Sequence, residues 1–256
     1  MLQNAWCFCS KATMSAIPAY HGEHMLLDSL HSAFLLMISL DSELLEIVGV
    51  SLTVSFFATL FSSLLGLPCG FLVAFKTFPG KRLVITILNT LLALPTVVIG
   101  LVVYSIISRR GILGPLELLY TQKAIIIGQV ILITPVIATL TIAAISRIDR
   151  RYRTTALTLG ANELQMARVI FKEARYGIIA ALIAAFGRVI AEVGISMMLG
   201  GNAKGFTRTM TTAMALEYDK GEFVLAVALG IILMTFAFII NMLFHFFQGR
   251  TETDAL

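Results

Sequence analysis

Four stretches of the chain run without a charged residue: Ile47 to Phe75, Leu83 to Ser108, Ala124 to Ser146 and Phe223 to Gly249. Each exceeds the roughly 20 apolar residues that a helix needs to cross hydrocarbon, so each is expected to be a membrane span. A fifth stretch, Tyr176 to Ala203, is apolar apart from Arg188 and Glu192. Those two stand at i and i+4, a spacing at which opposite charges meet on one helix face, and the stretch is counted as a fifth span. Ser29 to Leu40 is apolar but too short to cross. It is expected to lie along the membrane as an elbow helix, the alternative being a sixth span. The fold expected is therefore all-α: a membrane bundle of five spans preceded by an elbow.

Flanking segments are polar or aperiodic. Residues 1–28 mix Trp6, Pro18, Gly22 and histidines with no period and read as a poorly structured extension. No basic, long-cored signal peptide is visible there, and Met14 or Met25 is a candidate for the true start. The membrane domain is drawn over 29–249, with a short tail at 250–256. Pro68, Pro95 and Pro135 each fall inside an expected span. Proline removes a helix hydrogen bond, so three kinked spans are expected.

Composition agrees with a lipid solvent. Hydrophobic residues make up 58% of the 256 and charged residues 13%, about half the charged share of a soluble domain. The net charge of +4 matters by position. With five alternating passes, eleven Lys and Arg fall on one side and seven on the other, with Arg188 inside a span. Basic loops stay cytoplasmic, which puts the N-terminus outside and the C-terminus inside. Three cysteines cannot build a disulfide framework. Cys7 and Cys9 read as unpaired thiols, with a metal site the lesser alternative.

The loop 146–175 supplies seven of the eleven basic residues. Within it Leu157, Ala161, Leu164, Ala167 and Phe171 recur at helical spacing, and Gly160 offers a place to turn. Two readings stay open. It is a basic amphipathic helix resting on anionic lipid headgroups, or a helix whose apolar face fills a groove on a soluble partner.

Two runs of residues resemble a known family. Thr154-Thr155-Ala156-Leu157-Thr158-Leu159-Gly160-Ala161 resembles the EAA loop of ABC-importer permeases, with threonines where Glu and Ala are usual. Gly187-Arg188-Val189-Ile190-Ala191-Glu192-Val193-Gly194 resembles the G-R-x-x-x-E-x-G segment of molybdate- and tungstate-type permeases. The continuation through Gly200-Gly201-Asn202 and Thr207 to Ala213 looks most like the tungstate branch. Asp41-Ser42-Glu43, Leu94-Pro95 and Ser108-Arg109-Arg110-Gly111 fit as well, so the resemblance covers about residues 41 to 248.

That resemblance implies a type I importer permease: a homodimer working by alternating access, with ATP hydrolysed by partner ATPase subunits. An extracytoplasmic binding protein would deliver the oxyanion, tungstate before molybdate or sulfate. Ala156, Gly160, Ala161, Glu163 and Leu164 would form the ATPase contact. Arg188, Glu192, Asn202, Thr207, Arg208 and Thr209 are the candidates for the substrate path. Guanidinium, amide and hydroxyl donors suit a tetrahedral oxyanion. The alternatives for Arg188 and Glu192 are a buried structural pair, and for the 202–212 strip solvated loop chemistry or contact with the binding protein.

No catalytic set is recognisable. Gly200 and Gly205 have Walker A separation, but Phe206-Thr207 follows where Lys-Ser/Thr is required. The chain is expected to be no enzyme, with no metal, no cofactor and no nucleic-acid partner. A secondary transporter is the rival from another class. It predicts charges on several spans and an internal inverted repeat, and neither is visible.

Overall fold

The computed structural model describes residues 42–253, and over these the chain is helical with no strand. The expected elbow at Ser29–Leu40, the extension 1–28 and the last residues of the tail lie outside that range. In chain order the helices are α1 (Ser42–Phe75), α2 (Lys81–Leu92), α3 (Thr96–Ile107), α4 (Gln122–Ser146), α5 (Arg150–Thr158), α6 (Glu163–Glu173), α7 (Arg175–Ile190), α8 (Gly194–Gly200), α9 (Met210–Lys220) and α10 (Phe223–Thr253). Three of them, α1, α4 and α10, are long and apolar enough to cross a membrane singly. The pairs α2–α3 and α7–α8 reach that length only together and are bent by 95° and 57°.

Helices α1 and α4 form the centre. They approach closely because small residues line the seam. A side chain at Gly66 would put its Cβ 2.9 Å from Ile137, and one at Gly70 would sit 2.5 Å from the Ala138 carbonyl. With lipid outside rather than water, such contacts substitute van der Waals packing for the missing hydrophobic drive. Ser62 adds a hydroxyl bond to the Val130 carbonyl across the seam. Helix α7 packs against both, α10 lies on α7 and α9, and α3 rests on α8.

Only one of the three prolines breaks its helix. Pro68 and Pro135 remain inside unbroken α1 and α4. At Ala93–Pro95 the chain turns, and α3 restarts with Pro95 extended (φ −62°, ψ 131°) as its N-cap residue. The expected span Tyr176–Ala203 breaks as well, without proline, at residues 191–193 between α7 and α8.

Polar segments sort to two ends. At one end the start of α1 meets the 201–209 loop, where Lys204 reaches Glu43 at 2.8 Å. Gln122, at the start of α4, donates there to the Phe206 carbonyl. At the other end lie the C-terminus of α1, the 76–81 turn and α5–α6. Lys81 donates to the Ala74 and Lys76 carbonyls there, satisfying acceptors that the end of α1 leaves open.

Candidate functional site

Two short capped helices build the first region. The Asp149 side chain accepts from the Arg151 amide and starts α5. Asn162 and Gln165 form a reciprocal capping box that starts α6. Between them Gly160 takes φ +78°, a left-handed conformation that costs a β-carbon-bearing residue about 1 kcal/mol. The turn expected at Gly160 is therefore present, and it makes the stripe two helices rather than one.

This elbow grips the bundle by one side. Met166 and Ile170 are buried with Ile145, Ala174 and Ile178, and Ala156 packs against them. Arg153 lies over the Phe75 ring at 5.8 Å, and the Phe71 and Phe171 rings approach to 5.9 Å. The other side is bare. Leu159 is 82% exposed and Leu164 72%, with Leu157 and Glu163 exposed as well and Ala161 half-buried. Leucines set so openly beside arginines leave an apolar face without a partner among the described residues.

The second region surrounds the α7–α8 break. The expected pair Arg188–Glu192 is not formed: among the described residues no ion pair joins them. The helix ends at Ile190, so i and i+4 no longer share a face. Glu192 turns inward instead, 8% exposed, and its Oε1 accepts from the Ile195 amide at the start of α8, 3.3 Å away. Its backbone carbonyl accepts from Thr211 Oγ1 at 2.8 Å. Arg188 stays on the outer surface of the chain.

The 202–212 strip is committed to its own loop. Thr207 Oγ1 donates to the Gly200 carbonyl and accepts from the Ala203 amide. Thr209 caps α9 in a box with Thr212. Asn202, at φ +52°, donates to the Thr212 carbonyl, and its Oδ1 is buried without a partner. Met210 donates its amide to Ser51 of α1 at 2.7 Å. The loop therefore dips along α1 and α9 returns.

Arg208 is the loop's anchor. Its Nη1 lies 3.4 Å from Glu43 and 3.8 Å from Glu217, and its side chain is 10% exposed. Lys204 pairs with Glu43 and Lys220 with Glu217 at 2.9 Å. Two carboxylates thus meet a guanidinium that the sequence offered as an anion donor. Glu217 was not singled out from the sequence, since 174 positions separate it from Glu43 and only the folded loop brings them together.

Near the same end a cavity of about 600 Å³ is lined by Tyr104, Arg109, Arg110, Glu117 and Tyr120, among others. The Tyr120 hydroxyl is pushed above the usual phenol value, first by its hydrogen bond to Tyr104, then by that neighbour's charge and by burial.

Comparison with known proteins sets this geometry in context. The family described as "Binding-protein-dependent transport system inner membrane component" matches residues 66–253. A "Probable anion ABC transporter permease protein" of Haloferax volcanii is 41% identical over 213 residues, covering 81% of this chain and 92% of that protein. The "Tungstate uptake system permease protein TupB" of Peptoclostridium acidaminophilum is 35% identical, covering 86% and 97%. In fold, the chain is similar to a chain of a bacterial alginate ABC transporter solved with its alginate-loaded periplasmic protein. That likeness has a TM-score of 0.69 at 18% identity, over 91% of this chain and 89% of the other.

Proposed function

This chain belongs to the binding-protein-dependent transport system inner membrane components, and on that premise we propose that it is the permease subunit of an ABC importer for an oxyanion, tungstate foremost. The observation that carries the reading is the α5–α6 elbow. A rigid, doubly capped pair of helices offers bare leucines at the end where basic residues gather, which suits a soluble partner that pushes on the bundle. That partner is an ATPase subunit, contacted through Ala156, Gly160, Ala161, Glu163 and Leu164. ATP is hydrolysed there and not in this chain.

The remaining assembly follows the same reading. The N-terminus faces outward and the C-terminus the cytoplasm, five passes being counted with each bent pair as one. A second copy completes the path, and a binding protein docks at the opposite end. The membrane domain, 29–249, sits in the inner membrane. Among the path candidates, Arg188 keeps that role because its charge is exposed and has no ion-pair partner among the described residues. Arg208, Thr207 and Thr209 hold the outer loop, Asn202 ties it to α9, and Glu192 holds the α7–α8 break. The tungstate assignment draws on the TupB relatives, and molybdate and sulfate remain the alternatives.

The test is uptake of labelled tungstate by cells expressing this chain with a cognate ATPase and binding protein. Tungstate is expected to be taken up, with excess molybdate and sulfate competing less well. Gly160→Trp, in a turn with no atom within 4 Å of an added Cβ, should leave the protein in the membrane and separate ATP hydrolysis from uptake. Unchanged uptake in that variant overturns the coupling role.

A further inference from the structure

Helix α2 carries a polar face that nothing among the described residues covers. Arg82, Thr86, Asn89 and Thr90 recur at intervals of 4, 3 and 1 residues, one stripe of an α-helix. All four are exposed, as are Leu83 and Ile87 on their flank, whereas Val84, Ile85, Leu88, Leu91 and Leu92 on the opposite side are half-buried. The polar stripe therefore points away from the bundle. Thr86 and Thr90 donate to the carbonyls four residues back, each at 2.9 Å. The Asn89 amide has no bond within the described residues.

Length argues against the simplest explanation, an amphipathic helix lying in the headgroups: α3, with 12 residues, rises only about 18 Å and cannot cross about 30 Å of hydrocarbon unless α2 contributes to the crossing. A Cβ at Gly194 would stand 2.9 Å from Thr96 Oγ1, so the α2–α3 break meets the α7–α8 break. Helix α7 has 16 residues and rises about 24 Å from Arg175 before that point. Helix α2, with 12 residues and about 18 Å long, ends at the same junction, from which α3 leaves at 95°. Asn89 is in its last turn, beside that junction, and the roughly 24 Å of α7 below the junction set it within a hydrocarbon layer about 30 Å thick when α7 stands as a span. An unbonded amide facing lipid there costs several kcal/mol. Arg188, exposed and without an ion pair among the described residues one turn before the other break, poses the same problem at greater cost.

We propose that the α2 face Arg82–Thr86–Asn89–Thr90 lines a water-filled passage through the inner half of the membrane, and that Asn89 is a positioning residue for the passing oxyanion. The proposal rests on the importer reading. The threonines, already bonded to their own backbone, wet the wall without gripping an anion. Asn89 offers two amide donors and Arg188 a guanidinium, both suited to tetrahedral oxyanion edges. A wall with so few donors lets an anion pass rather than hold it.

The test uses the assembled importer in membrane vesicles, with Cys7, Cys9 and Cys69 changed to serine. Thr86→Cys and Asn89→Cys are treated with a charged, membrane-impermeant methanethiosulfonate, and Ile87→Cys, exposed on the apolar flank of the same helix, is the control. Labelling at positions 86 and 89 at least ten-fold faster than at 87 is expected. Equal rates, the result for lipid or for a dry contact with a second copy, overturn the proposal. Asn89→Leu should lower oxyanion uptake at least ten-fold while the complex still assembles and hydrolyses ATP, and unchanged uptake also overturns it. Labelling needs no substrate, so a chain that moves no oxyanion yet keeps the ten-fold contrast refutes the importer reading and leaves the wetted face standing.

Discussion

Arg208 carries its charge into a place almost closed to water, and two glutamates from distant parts of the chain meet it there. Breaking a buried pair by removing one member is far more damaging than never having built it, because the remaining charge stays buried alone. Arg208→Ala is expected to lower stability by about 3 kcal/mol, read as thermal unfolding of the purified protein in detergent. Arg208→Lys should lose less. Intact stability combined with lost uptake would mean that Arg208 serves the anion and not the fold. Thr209→Ala removes the α9 cap and should cost about 1 kcal/mol, with Thr209→Asn restoring most of it. Arg208 shows where sequence reasoning stopped: its chemistry was visible, but its employment was decided by Glu43 and Glu217, which no local pattern connects to it.

Elements in this protein are held by close approach more than by greasy bulk. The α1–α4 seam depends on Gly66 and Gly70 having no side chain. Gly70→Ala would drive its Cβ to 2.5 Å from the Ala138 carbonyl and 2.8 Å from the Thr141 Cβ. Helix backbone cannot yield that far locally, so a loss of about 1–3 kcal/mol is expected in the same unfolding assay. Gly49, in the same helix, has nothing within 4 Å of a Cβ. Gly49→Ala should stabilise by up to about 1 kcal/mol through helix propensity alone. If both substitutions act alike, the seam is not what joins the two helices. The breaks follow the same logic of local satisfaction. Pro95 ends α2, whereas Pro68 and Pro135 ride inside unbroken helices. The α7–α8 break is not expected from the sequence, which reads as one span over 176–203 with Arg188 and Glu192 paired; the helix ends at Ile190 and the two charges stand apart.

At the scale of the molecule, the two ends do different work. One end is locked by ion pairs among Glu43, Lys204, Arg208, Glu217 and Lys220. The other presents α5 and α6, attached by Met166 and Ile170 and bare at Leu157, Leu159 and Leu164. Changing Leu159 and Leu164 together to Asp touches no buried contact, so insertion and thermal stability should stay within about 0.5 kcal/mol of the parent. Co-purification of the ATPase subunit should fall at least ten-fold. Undiminished recovery of the ATPase would sink the docking role of the elbow.

The sequence by itself determined that this chain dissolves in a bilayer, where its charge-free stretches lie, and that a turn falls at Gly160. Those properties follow from counts and spacing within one segment, and hydrocarbon penalises any other arrangement. The tertiary structure decided which span is continuous and which is broken, that Arg188 and Glu192 part company, and that Arg208 is neutralised while the Asn89 stripe is left bare. Each of these depends on which groups come within a few ångströms across large gaps in the chain. A burial or a hydrogen bond between remote residues has no signature in the local pattern that sequence reading can use.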